Sequence, residues 1–242
     1  MSETDLAIRE PPKVLVPVEV LEGESISSSL AAFLAPADVV VLGYHVLPEQ
    51  TPTEQASMQF EDRAREAVED LAAVFRESGG DVETRVSFTH DRDQTVERVA
   101  AEVGATAILL PNPVSEVSDI VVPFRGAIDH ERLADLVATL LADGEGTVTL
   151  WGIESGGFDA EETVQHARTS LRERGLDAAR ITTETTVAES PIRDIVARSA
   201  AFDLIVMGAG EESLWSALFG EDAERVAEGA VAPVLVVRER EA

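Results

Sequence analysis

One short run of this sequence occurs twice. KVLVPVE at 13–19 and DIVVPFR at 119–125 are both rich in β-branched residues and both reach a proline at their fifth position, about a hundred residues apart. Self-similarity at such a distance marks a duplicated structural unit and limits the available folds more than any composition does. Each run is followed by a stretch with helical apolar spacing, 27–34 and 131–141. A second apolar run comes next, VVVLGYHV from Val39 and TVTLWGI from Thr147. The order is therefore strand, helix, strand in both copies.

The parallel continues. Two amphipathic helices rich in acids and arginine are expected at 53–78 and 160–174, the first with Ala64, Ala67, Val68, Leu71, Val74 and Phe75 on one face, the second with Val164, Ala167 and Leu171. Gly79, Gly80 and Gly175 stop them. Strands VETRVSF and RITTETTV, helices QTVERVAAEVG and SPIRDIVARSA, and the apolar strands ATAILLP and FDLIVMG complete the shared pattern. Ser190 is expected to cap the second of those helices, with Pro191 as its first residue.

Strands alternating with helices predict an α/β fold of two Rossmann-like repeats, related to the adenine nucleotide alpha hydrolase-like architecture, with parallel sheets flanked by helices. The copies differ in length. After Pro111 the first runs through NPVSEVS into the next repeat, whereas the second continues past Gly208 to a helix at 222–229 and a last strand, PVLVVRE. The boundary falls near Val117, giving a truncated repeat at 1–117 and a complete one at 118–242. Val234 to Val237 is expected at a sheet edge, since the truncated repeat has no equivalent strand.

Composition closes off several functions. No cysteine is present, which excludes disulfides, thiolate chemistry and cysteine-ligated zinc. His45, His90, His130 and His166 are too dispersed in sequence for a local metal motif. Neither Ser155-Gly156-Gly157 nor Ser213 sits in a nucleophile elbow, so hydrolase chemistry is not expected. The opening MSETDLAIREPP has neither the basic start nor the apolar stretch of a secretory signal, and no run is apolar enough to span a bilayer; a cytoplasmic location is expected.

The chain carries 46 acidic and 19 basic residues, a formal charge of -27, with Lys13 its single lysine. Its apolar periodicity argues against disorder. Acidity spread through both copies points instead to a protein adapted to high salt, with mimicry of a nucleic acid as the rival explanation. Binding to nucleic acid is not expected, because no basic stripe is present to displace counterions.

At 203–238, DLIVMGAGEESLWSALFGEDAERVAEGAVAPVLVVR, the sequence resembles the universal stress protein family. That family carries a loop of the form Gly, two residues, Gly, nine residues, Gly, then Ser or Thr, before a helix and a closing PVLVV strand. Gly208, Gly210, Gly220 and Pro233 to Val237 follow that order, with a loop one residue shorter and Glu221 in place of the hydroxyl residue. In the nucleotide-binding branch an aspartate ending the first strand holds adenosine and the loop amides hold phosphates. Here Glu19 and Arg125 take the aspartate's place in the two copies.

The resemblance thus implies a degenerate nucleotide pocket formed by Pro123, Arg125, Gly126, Gly208, Gly210, Gly220 and Glu221. Each has a plainer reading: the glycines as a turn, Glu221 and Asp222 as acids favoured at a helix start, Arg125 as the partner of a carboxylate. The resemblance further implies a regulatory, non-enzymatic stress-response module with no resident cofactor and no bound metal. It also implies a homodimer joined through Val234–Val237. The acids that open the loop resemble the universal-stress domains accompanying membrane transporters, which makes a transporter the candidate partner. A sensor that binds ATP or AMP is the alternative.

Overall fold

Val14, Leu15, Val16 and Val18 are wholly buried, so β1 (Lys13–Glu19) is covered on both faces. That is the condition of a strand inside a sheet layered by helices. The computed structural model describes residues 6–22, 24–48, 50–126, 128–142, 144–154, 158–208 and 232–240. After β1 the chain forms α1 (Ser28–Leu34), β2 (Asp38–Val46), α2 (Thr53–Glu77), β3 (Val82–Thr89), α3 (Arg92–Glu102) and β4 (Ala107–Leu110). It then forms β5 (Asp119–Phe124), α4 (His130–Leu140), β6 (Thr147–Glu154), α5 (Ala160–Glu173), β7 (Ile181–Val187), α6 (Pro191–Arg198) and β8 (Leu204–Gly208). The last described strand is β9 (Val234–Val237). The helix expected at 222–229 lies outside the described residues.

Helix boundaries follow their local chemistry. Side chains of Ser27, Asp91, Asp129 and Asp159 accept hydrogen bonds from the first-turn amides of α1, α3, α4 and α5. Gly79, Gly104 and Gly175 take positive φ just after α2, α3 and α5, the left-handed conformation that closes a helix at least cost in glycine. Ser190 departs from expectation. It occupies the cap position before Pro191, yet its side chain makes no capping hydrogen bond.

The α/β class stands, but the expected pair of sheets is one nine-stranded sheet in the order β3-β2-β1-β4-β9-β8-β5-β6-β7. From the middle outward each half has the same order, β4-β1-β2-β3 on one side and β8-β5-β6-β7 on the other. Neighbours are parallel except β4 and β9, which pair antiparallel from Ala107↔Val237 to Leu110↔Val234. The strands of one half therefore run opposite to those of the other, and their carboxyl ends lie on opposite margins of the sheet.

This corrects the expectation for Val234–Val237. The strand is not at an edge: β4 bonds one side of it and β8 the other, and all four residues are buried. No free edge remains for joining a homodimer through this strand. Its pairing occurs within the chain because the first half ends its strands at β4 and leaves that side open. A single buried cluster runs from Val14 and Phe75 through Leu235 to Val122 and Leu171, so the seam is continuous with the core.

A strap at the amino terminus binds the halves a second time. Ala7 N–H donates to the carbonyl of Arg174 at 3.2 Å, and the amides of Arg9 and Glu10 donate to the Asp135 carboxylate at 3.2 and 3.1 Å. Asp135 and Arg174, each 1% exposed as side chains, are ion-paired at 2.6 Å, and Arg174 also reaches Glu131 at 2.8 Å. The strap that leads into β1 is thus held by α4 and α5 of the other half.

Candidate functional site

β5 and β8 lie side by side, with Ile120↔Leu204 and Val121↔Ile205 in register. From β5 the chain moves through α4 to β6 on one side, while β8 is reached after β7 and α6 and lies on the other. The connections diverge here, and in an open α/β sheet a crevice forms outside the carboxyl ends of such a strand pair. Four residues beyond the registered Ile120 and Leu204, the strands end at Phe124 and Gly208.

Of the candidate pocket residues, Pro123, Arg125, Gly126 and Gly208 come to this end of β5 and β8. Gly210, Gly220 and Glu221 lie outside the described residues. Pro123 is a buried member of the sheet, in register with Trp151, and is not at the mouth. Gly208 is not a turn glycine with positive φ: it ends β8 opposite Val237, and a Cβ there would stand 2.9 Å from Cγ1 of Ile128. It is needed for close packing. A Cβ on Gly126 would meet nothing within 4 Å.

Arg125 follows β5, half-buried, and burial draws its pKa below the ordinary guanidinium value. Among the described residues no carboxylate lies within ion-pair distance of it. The neighbouring helix start is already satisfied: the Asp129 carboxylate accepts from the amides of Glu131 and Arg132, both at 3.1 Å. Beside it, His130 stacks on Phe124 with ring centroids 6.0 Å apart and meets His166 edge-on at 4.9 Å. Burial, then the field of His166, lowers the His130 pKa, and its Nδ1 is buried without a partner among the described residues.

The corresponding strand end in the first half is chemically different. Glu19 ends β1 and is only 6% exposed. Its Oε1 is bonded to His45 Nδ1 at 2.8 Å, its Oε2 accepts from Val46 N–H at 3.2 Å, and its own amide donates to Glu24 at 2.7 Å. Both carboxylate oxygens thus have partners from β2. Next to His45 in sequence, burial pushes the Tyr44 hydroxyl up to about 12, against the opposing pull of Arg92, whose guanidinium lies 5.4 Å over the ring.

The pairs Glu19–His45 and His130–His166 were not legible beforehand. Each joins residues of different elements, so no spacing along the chain signals them. Among the described residues no group of three or more His, Asp or Glu could hold a metal ion, and no helix is long and apolar enough to cross a membrane.

No curated protein matches this sequence. Among solved structures, a universal stress protein from Archaeoglobus fulgidus DSM 4304 is similar with a TM-score of 0.64 at 11% identity, covering 97% of this chain and 98% of that one. A functionally unknown protein from Pseudomonas aeruginosa PAO1 is similar with a TM-score of 0.50 at 17% identity, covering 96% and 93%. At such identities the likeness is one of fold. The sequence itself adds a match between residues 116–238 and the model of the universal stress protein family. Since that span is half of the chain and takes in β5 through β9 with the divergence at β5 and β8, this chain belongs to the universal stress protein family.

Proposed function

We propose that this chain is a non-enzymatic regulatory module of the stress response, built from repeats at 1–117 and 118–242, whose pockets have departed from nucleotide binding. The observation that carries the reading is the state of the two strand ends where the family resemblance expects a free aspartate. Glu19 is closed off by His45 and the Val46 amide, and Arg125 presents a cation instead. Glu221 adds a like charge where a triphosphate would seek a hydroxyl. Two unit charges about 4 Å apart repel by roughly 1 kcal/mol in water and roughly 4 kcal/mol at an effective dielectric of 20, about one to three decades of affinity before screening. A membrane transporter is the partner class we put forward, on the acidic opening of that loop.

Calorimetry tests the reading. ATP binding that Arg125→Gln weakens is expected to be negligible in the unmodified chain and to be gained in Glu221→Ser. Micromolar affinity for ATP in the unmodified chain, weakened by Arg125→Gln and unmoved by Arg240→Gln, would reverse the order and put the ATP or AMP sensor first. The half-buried Arg125, with no carboxylate partner among the described residues, is what favours that second reading, because such a guanidinium is suited to an anion.

A further inference from the structure

Three arginines gather at the seam between the halves, each beside a carboxylate. Beyond β9 the chain passes through Arg238, Glu239 and Arg240 beside the α3–β4 turn, where Arg238 N–H donates to the carbonyl of Thr106 at 2.9 Å. Arg132, near the start of α4, borders the same space. With Glu10, Ala101 and Gly104 these residues line a cavity of about 430 Å³. That is within the size range of small-molecule sites.

The three arginines have different roles. Arg238 reaches Glu97 of α3 at 3.4 Å and the carbonyl of Ala105 at 3.5 Å, and so is engaged by the protein itself. Arg132 and Arg240 share one carboxylate: Glu10 lies 3.8 Å from Arg132 Nη2 through Oε1 and 3.1 Å from Arg240 Nη2 through Oε2. Arg240 is also 3.7 Å from Asp129. The Arg132 side chain is only 11% exposed. Its Nη1 donates to the carbonyls of Arg238 and Glu239 at 3.3 and 3.4 Å, while its Nε is buried with no acceptor among the described residues. The protein thus leaves this guanidinium short of acceptors.

We propose that this cavity binds a small polyanion of the phosphate class, which displaces Glu10 and bridges Arg132 and Arg240. Glu10 supplies one charge and two oxygens to two guanidinium groups. A phosphate group supplies more charge and a further acceptor, and its geometry suits the guanidinium fork. Against a formal charge of -27, an anion needs such a local pair of cations to be held at all. The site lies between α3, α4 and the end of β9, on the same margin as the crevice at β5 and β8 and next to it, but its lining includes none of the candidate pocket residues, so it goes beyond the function proposed above.

Titration calorimetry of the whole chain with pyrophosphate, in a fixed concentration of potassium chloride, tests the site. The expectation is saturable binding at one pyrophosphate per chain. Arg240, with its side chain 53% exposed, can be changed without endangering the core. Arg240→Gln should weaken binding about tenfold, and Glu10→Gln should strengthen it about tenfold by removing the internal competitor. Parallel titrations with ATP and adenosine identify the source of the phosphate. ATP no tighter than pyrophosphate, with adenosine silent, indicates a free phosphate anion. ATP tighter than pyrophosphate and still weakened by Arg240→Gln indicates a nucleotide held by its phosphates. Absence of pyrophosphate binding, or an affinity that neither variant moves, overturns the proposal.

Discussion

Gly152 in β6 and Gly43 in β2 do the same work in the two halves: each lets a helix lie directly on the sheet. A Cβ on Gly152 would stand 2.9 Å from both the carbonyl oxygen and the Cβ of Ala160 at the start of α5. On Gly43 it would collide with Val68 of α2 and come within 2.8 Å of Val20. Because backbone blocks the first site, Gly152→Ala should lower stability by about 1–3 kcal/mol in chemical denaturation, while Gly126→Ala, facing open space, should not. His130 gives a second test at this scale. Its pKa is lowered in the fold, so the unfolded chain binds the proton more readily. The stability it contributes is complete above the ordinary value of 6.5 and is lost as pH falls through the lower folded value. Melting followed from about pH 7 to about pH 5 should show that loss, with a flatter profile in His130→Phe. The sequence drew attention to the loop glycines through the family pattern. Gly43 and Gly152 carried a signal too, as glycines inside apolar strands, which mark close approach.

At the scale of elements, every expected strand and helix within the described residues formed within two residues of its expected limits, because apolar periodicity marked most of them and caps or glycine stops bounded α2, α3 and α5. What the pattern did not deliver was placement. VLVV at 234–237 was expected at an edge because the first half lacks a counterpart, yet four consecutive apolar residues suit a strand buried on both faces. The open side of β4 decided the matter, and that is a property of the other half, far away in sequence. The strap is similar, since nothing in LAIREPP announces that its amides meet Asp135. Asp135→Ala should cost about 3–5 kcal/mol, because it strands the buried Arg174 and removes the acceptor for two strap amides. Native-state hydrogen exchange should find the amides of Arg9 and Glu10 among those most accelerated. Unchanged protection there would mean that the strap is held by its other contacts.

For the whole molecule, charge sets the conditions under which this fold is stable. Exposed pairs such as Arg98–Glu102 at 2.6 Å and Arg65–Glu61 offset little of a formal charge of -27. Molar salt shortens the screening length to about 3 Å, whereas near ten millimolar it reaches about 30 Å and like charges across the surface feel one another. The melting temperature should therefore fall steeply as potassium chloride is diluted from molar to tens of millimolar. A melting temperature indifferent to salt would remove the inference of high-salt adaptation. The acidity was legible in full from the sequence, since it needs only a count. The antiparallel seam at β4 and β9 was not, and it has a hereditary consequence. In an assembly of two identical chains every substitution arrives in both copies at once, so neither pocket can change without the other. Here both halves are encoded in one reading frame, each mutation lands on one of them, and the closed-off Glu19 and the cationic Arg125 could arise as separate events.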